Sequence, residues 1–253
     1  MNEDAKGMRP ARILGFAGKQ FAAAGTLPRT VDVRRPDDAR RYRLIAEFGF
    51  LFLLAPLVMR YVVYNHSVPL YYALPPVLGL MLALLFFDPT FKLRHEFKTG
   101  FTRETLFSIL FVFLIFGSLL GAWVATEMPE RFFELPRTRS MRWLKLLVLY
   151  PFTSVLAQEF VYRVFFFHRY GTLFSRRRTM ILANGAVFAF AHILFRNWIA
   201  FALTFAGGML FAWRYYTTRS FWAVWIEHTL WGWLIFTVGL GVYFFTGVKN
   251  PAW

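Results

Sequence analysis

Seven apolar runs, roughly 44–63, 69–87, 105–125, 143–168, 179–195, 198–214 and 220–245, constrain this chain more than any other feature. Each approaches the ~20 residues that a helix needs to cross a bilayer. Lipid offers no partner to a bare peptide group, so a chain with such runs must satisfy its backbone internally. The expected fold is therefore all-α: a polytopic transmembrane helical bundle of about seven spans. Composition agrees, with 57% hydrophobic and only 17% charged residues, including 32 Phe and 9 Trp. Soluble domains average about 25% charged residues.

The net charge of +15 fits membrane topology, because Lys and Arg collect in cytoplasmic loops and meet anionic headgroups. No basic element has groove-reading spacing, so nucleic acid is not an expected partner. With the N-terminus in the cytoplasm, the inner segments 29–43, 88–103, 169–178 and 214–219 hold 16 Lys and Arg, against 7 on the other side. That bias places the N-terminus inside and the C-terminus outside, although Arg131, Arg137, Arg139 and Arg142 would then be external. There is no cysteine, which excludes disulfides and thiol chemistry. Three stretches follow: a basic cytoplasmic segment 1–42, N-terminal membrane helices 43–142, and a core at 143–248. Residues 1–28 hold no h-region for a cleaved signal peptide.

The fourth run carries Gln158-Glu159-Phe160-Val161-Tyr162-Arg163. Residues four apart on a helix share a face, so Glu159 and Arg163 can pair. An ionisable pair in an apolar span costs ~2.5–3.5 kcal/mol per charge on insertion scales and is usually retained for function. A structural ion pair is the plainer reading, but burial makes such pairs poor value for stability alone. Gln158, about 100° round the helix from Glu159, donates and accepts hydrogen bonds but is no base. In the fifth run Asn184, Phe188 and His192 share a face at i, i+4 and i+8. In the seventh, Glu227 immediately precedes His228. For His192 the plainer reading, a satisfied core histidine, weighs about as much as the functional one; His228 with its adjacent acid leans toward function. In the sixth, Thr204, Gly208 and Ala212, next to Gly207, invite close helix packing.

A carboxylate and two imidazoles on three spans permit two chemistries. Zinc accepts His and carboxylate ligands. Alternatively, Glu159 acts as general base toward water while a histidine steadies a developing oxyanion. No His-Glu-x-x-His pair lies on one helix, and spacing does not separate the two.

These pieces resemble, in order and context, the CAAX prenyl protease and bacteriocin-processing family of intramembrane endopeptidases. That family's pattern is Glu-Glu-x-x-x-Arg, Phe-x-x-x-His and His-x-x-x-Asn on separate helices. Here it reads Gln158-Glu159-x-x-x-Arg163, Phe188-x-x-x-His192 and His228-x-x-x-Gly232. The resemblance covers 143–240 and departs twice: Gln158 replaces the glutamate often assigned as base, and Gly232 replaces the oxyanion-binding asparagine. It implies an integral membrane protein, of the bacterial inner membrane, that cleaves a membrane-embedded or membrane-proximal peptide or protein. Glu159, His192, His228 and Arg163 would be catalytic: Glu159 takes the water's proton, His192 orients the water, His228 steadies the oxyanion, and Arg163 keeps Glu159 charged. Gln158, Phe188, Asn184 and Glu227 would support them, Glu227 being another carboxylate for the base. No metal or other cofactor is expected, zinc being the less favoured reading. Two alternatives remain open: a catalytically inactive relative serving as scaffold, chaperone or immunity factor, and a proton-coupled transporter. One difficulty stands. Glu159 and His228 fall near the inner ends of their spans and His192 near the outer end of its own, a depth mismatch on the order of 10 Å.

Overall fold

The computed structural model describes residues 37–66, 70–98 and 101–244. Most of the basic segment 1–42, the start of the second expected span at residue 69, and Lys249 lie outside the described residues. Helices α1 (Asp38–Asn65), α2 (Leu70–Phe86), α3 (Leu93–Lys98), α4 (Arg103–Glu127) and α5 (Glu134–Thr138) are followed by α6 (Ser140–Leu173), α7 (Arg177–Phe195), α8 (Trp198–Thr218) and α9 (Phe221–Val238). A 3-10 turn, Leu240–Phe244, closes the described chain. Among the described residues all regular structure is helical, as expected.

Four segments are long and apolar enough to cross a bilayer: α1, α4, α6 and α7. The other three expected spans coincide with α2, α8 and α9, which fall short of that mark in length or hydropathy. Helix α4 displays its apolar side chains outward, with Phe107 70%, Phe111 62% and Leu114 63% exposed. Large apolar side chains exposed in a row along one helix suit contact with lipid.

The helix ends follow local chemistry. Thr102, Asn197 and Ser220 cap α4, α8 and α9 by accepting from the backbone N–H groups of Thr105, Ala200 and Ala223, satisfying donors that the first turn leaves free. Gly239, at φ 105°, ends α9 in the left-handed region that favours glycine.

Among the described residues, helices α7 and α8 are the most closely packed helix pair. A β-carbon on Gly208 would lie 3.0 Å from Gly185 Cα and 3.0 Å from Phe188 Cδ1. The small residues of α8 therefore let the two backbones touch and seat Phe188 between them, as the Thr204–Gly208–Ala212 spacing predicts. Helices α8 and α9 are joined by Arg214 and Glu227, whose Nε–Oε2 and Nη2–Oε1 distances are 2.9 and 3.0 Å. Arg214 Nη1 also donates to Ser108 of α4 at 3.0 Å.

A second polar staple joins α1 to α6. Arg169 holds both Glu47 oxygens at 2.8 Å and reaches Asp88, beyond α2, at 3.4 Å. Partial burial alone would raise the Asp88 carboxyl, but hydrogen bonds from Thr90 and the charges of His168 and Arg169 outweigh it and hold its pKa below the ordinary value.

Candidate active site

Helix α6 carries most of the polar groups, and its geometry is irregular where they lie. Two π-helical turns, Pro151–Val155 and Phe160–Phe165, flank Leu156–Glu159. Pro151 has no N–H to donate, which favours a break in the regular ladder; such turns are frequent at functional sites, although a further one, Phe50–Leu54, lies in α1. The second turn is held from α7, where Asn184 Nδ2 donates to Tyr162 O at 2.5 Å. Asn184 thus braces the site from behind and is not part of the cavity wall.

A cavity of about 490 Å³ opens beside these turns, with α4, α6, α7, α8 and α9 contributing to its wall. Its polar groups include Tyr150, Ser154, Gln158, His192, Thr204 and His228. Glu159, Arg163 and Glu227 are fully buried and do not line it. The neighbours Gln158 and Glu159 therefore face different ways. Gln158 Nε2 donates to Ser154 Oγ at 2.7 Å, while its Oε1 has no hydrogen-bond partner among the described residues. Glu159 turns toward α9, where its Oε1 accepts from His228 Nδ1 at 2.6 Å.

A carboxylate only accepts, so Nδ1 of His228 carries a proton, and in the neutral ring Nε2 is the acceptor. The Tyr150 hydroxyl lies 3.1 Å from that nitrogen. The imidazole is sandwiched by aromatic side chains, stacked on Phe211 at 4.6 Å and edge-on to Phe188 at 5.7 Å. The second oxygen of Glu159 lies 3.1 Å from Arg163 Nε. The Arg163 guanidinium also stands over the rings of Phe188 and Phe211, at 4.9 and 5.5 Å, an arrangement in which ring quadrupoles share in balancing the charge.

His192 ends the regular part of α7 and starts its final 3-10 turn. Its Nδ1 lies 2.6 Å from Phe188 O. A carbonyl cannot donate, so Nδ1–H is the donor and Nε2 holds the lone pair. Phe188 touches both imidazoles, its centroid 4.7 Å from that of His192. The expected depth mismatch disappears because α6 continues to Leu173. Glu159 lies 14 residues before that end and His192 lies 15 residues after the start of α7 at Arg177, each about 21–22 Å along its helix.

The structure thus brings Gln158, Phe188, His192 and His228 to one cavity and joins Glu159 and Arg163 to it through His228. Glu227, a candidate for the missing carboxylate, is instead committed to Arg214. Tyr150, Ser154 and Trp231, which also line the wall, were not singled out from sequence. Tyr150, Ser154 and Gln158 recur every fourth residue, a one-face signal that could have found the first two. Among the described residues no three His, Asp or Glu side chains are grouped as a metal requires.

None of the curated proteins and none of the solved structures matches this chain. A family model does match, over the stretch from residue 140 to residue 234, and it describes a type II CAAX prenyl endopeptidase, Rce1-like. That stretch begins before Tyr150 and ends just after Gly232, so it takes in the whole irregular helix and both imidazoles; over it the chain is similar to the Rce1-like CAAX prenyl endopeptidases.

Proposed function

We propose that the protein is an intramembrane endopeptidase, with its N-terminus in the cytoplasm, that hydrolyses a peptide bond in a membrane-embedded or membrane-proximal substrate. The observation that carries this reading is the pair of imidazoles on one cavity of about 490 Å³ within the family-matched segment. Val112, Phe116 and Leu120 of α4, with Leu203 and Leu210 of α8, give the cavity an apolar side suited to an apolar chain beside the scissile bond.

In this reading water is held by His192 Nε2 and by Gln158 Oε1, a buried oxygen with no hydrogen-bond partner among the described residues. His192 Nε2 takes its proton as the oxygen attacks the carbonyl carbon, in the manner of a general base. Gln158 orients the water and carries no proton. The Glu159 carboxylate acts one step removed from the water that the motif suggested: it fixes the tautomer of His228 and holds the ring against the cavity. His192 then returns the proton to the leaving nitrogen as the C–N bond breaks. No metal or other cofactor takes part.

A second reading, a non-catalytic binding protein, draws on one observation: no carboxylate is among the described residues that line the cavity. A peptide library offered to the purified chain in liposomes, with and without chelator, distinguishes them. Cleavage that survives chelator and falls by about 10²–10⁴ in His192→Gln supports the peptidase. Binding without cleavage supports the second reading, and cleavage restored only by zinc overturns the metal-free mechanism.

A further inference from the structure

The hydroxyl of Tyr150 takes no part in the steps proposed so far, although it lies at the cavity wall. It is 3.1 Å from His228 Nε2, and His228 Nδ1 is 2.6 Å from Glu159 Oε1, so phenol, imidazole and carboxylate form one line from the cavity into the core. The phenol stands on Gly232. A β-carbon there would overlap Cε1, Cζ and the hydroxyl of Tyr150. The absence of a side chain at 232 therefore lets the ring occupy this place, with Phe236 packing edge-on against it at 5.4 Å.

We propose that Tyr150 is the oxyanion donor of this site, a catalytic residue seated in the space that Gly232 vacates. The proposal rests on the endopeptidase reading and names the group that its electrostatic half requires. Two other donors in the cavity are committed: one N–H of the Gln158 amide to Ser154 Oγ at 2.7 Å, and the Thr204 hydroxyl to Ala200 O at 2.6 Å. The Trp231 indole N–H, with no partner among the described residues, and the Ser154 hydroxyl, which accepts from Gln158, are the rivals. Tyr150 differs in being tied to the Glu159–His228 pair, which holds the phenol at the cavity wall before the reaction begins.

The water oxygen bonds to the carbonyl carbon, its proton passes to His192 Nε2, and the C=O π pair moves to the carbonyl oxygen. The phenol rotates about its C–O bond, so its proton leaves the hydrogen bond to neutral Nε2 and enters one to the oxyanion. Bonds to a charged acceptor are roughly twice as strong as neutral ones, so the exchange favours the transition state over the ground state. The pair then re-forms C=O, the C–N bond breaks, and the His192 proton goes to the amine. Tyr150 gives a hydrogen bond and transfers no proton.

The test uses the full chain in liposomes with a cleavable peptide and a phosphonamidate peptide of the same flanks, a tetrahedral anionic mimic. Tyr150→Phe keeps the ring on Gly232 and removes only the donor; thermal unfolding checks that it folds. The expected result is a loss of about 10²–10³ in kcat, the usual cost of one oxyanion donor. KM should stay within about threefold, and phosphonamidate affinity should fall by the same factor as kcat. Gly232→Ala, which displaces the phenol, should give a similar loss and add little to Tyr150→Phe. Full kcat in Tyr150→Phe, with the wild type cleaving, overturns the proposal. So does finding the whole loss in Trp231→Phe instead. A wild type that neither cleaves nor prefers the phosphonamidate brings down the endopeptidase reading, and the Tyr150 role with it.

Discussion

Glu159 on α6 and His228 on α9, 69 residues apart in the chain, meet through an Oε1–Nδ1 contact of 2.6 Å with the carboxylate fully buried. In the proposed mechanism the acid that the motif presents as the base instead supports an imidazole. Its own access to water is closed, and its second oxygen faces Arg163 at 3.1 Å.

Glu159→Gln should therefore lose both activity and stability. Arg163 would be left buried without its counter-charge, and removing one partner of a buried pair costs about 3–5 kcal/mol. His228 would also lose the carboxylate that sets its tautomer. We expect a fall in kcat of about 10²–10⁴ together with a clear drop in Tm in detergent. Full activity at an unchanged Tm would remove Glu159 from the site.

Gln158 faces the cavity and Glu159 does not, so position 158 is where an added acid would reach water. Gln158→Glu is expected to keep or raise cleavage, and Gln158→Ala to cost less than Glu159→Gln; single-turnover assays in liposomes measure both. Rebuilding the family's asparagine is a different matter. Gly232→Asn puts its β-carbon into the Tyr150 ring, and overpacking of this kind costs about 1–3 kcal/mol. The substitution should lower Tm when made alone, and combining it with Tyr150→Ala should relieve most of that loss.

Glu227 adjoins His228 in sequence but serves the packing of α8 on α9. Glu227→Gln leaves Arg214 buried and unpaired, so unfolding in detergent should occur earlier by about 3–5 kcal/mol. Activity per folded molecule should change far less than in Glu159→Gln. A loss of kcat matching that of Glu159→Gln would assign Glu227 a part in the chemistry.

The orientation is open to a clean measurement, because the chain has no cysteine of its own. Single cysteines at Arg139, in the turn before α6, and at Arg176, in the turn after it, should be labelled from opposite sides of the membrane. The Lys and Arg bias predicts that Arg139→Cys reacts from outside and Arg176→Cys only once the inner face is opened. The reverse pattern would invert the topology.

Much of this molecule was legible in the chain. Hydropathy in blocks required helices, because no other open structure satisfies its backbone in lipid. Four-residue spacing paired Glu159 with Arg163, set Phe188 on the face of His192, and marked the small-residue face of α8 that lies against Gly185. These are local relations, and helix geometry alone determines them. What the tertiary structure decided is which face of α6 meets the cavity. Two π-helical turns shift the phase of its side chains around Leu156–Glu159, so Gln158 is turned toward the cavity and Glu159 toward α9. The partners of the buried charges were decided there too. Whether Glu227 meets Arg214 or the cavity, and whether Tyr150 fills the space over Gly232, depends on how helices tens of residues apart pack together. A buried charge costs too much to stand alone, which guarantees it a partner, but only packing says which one.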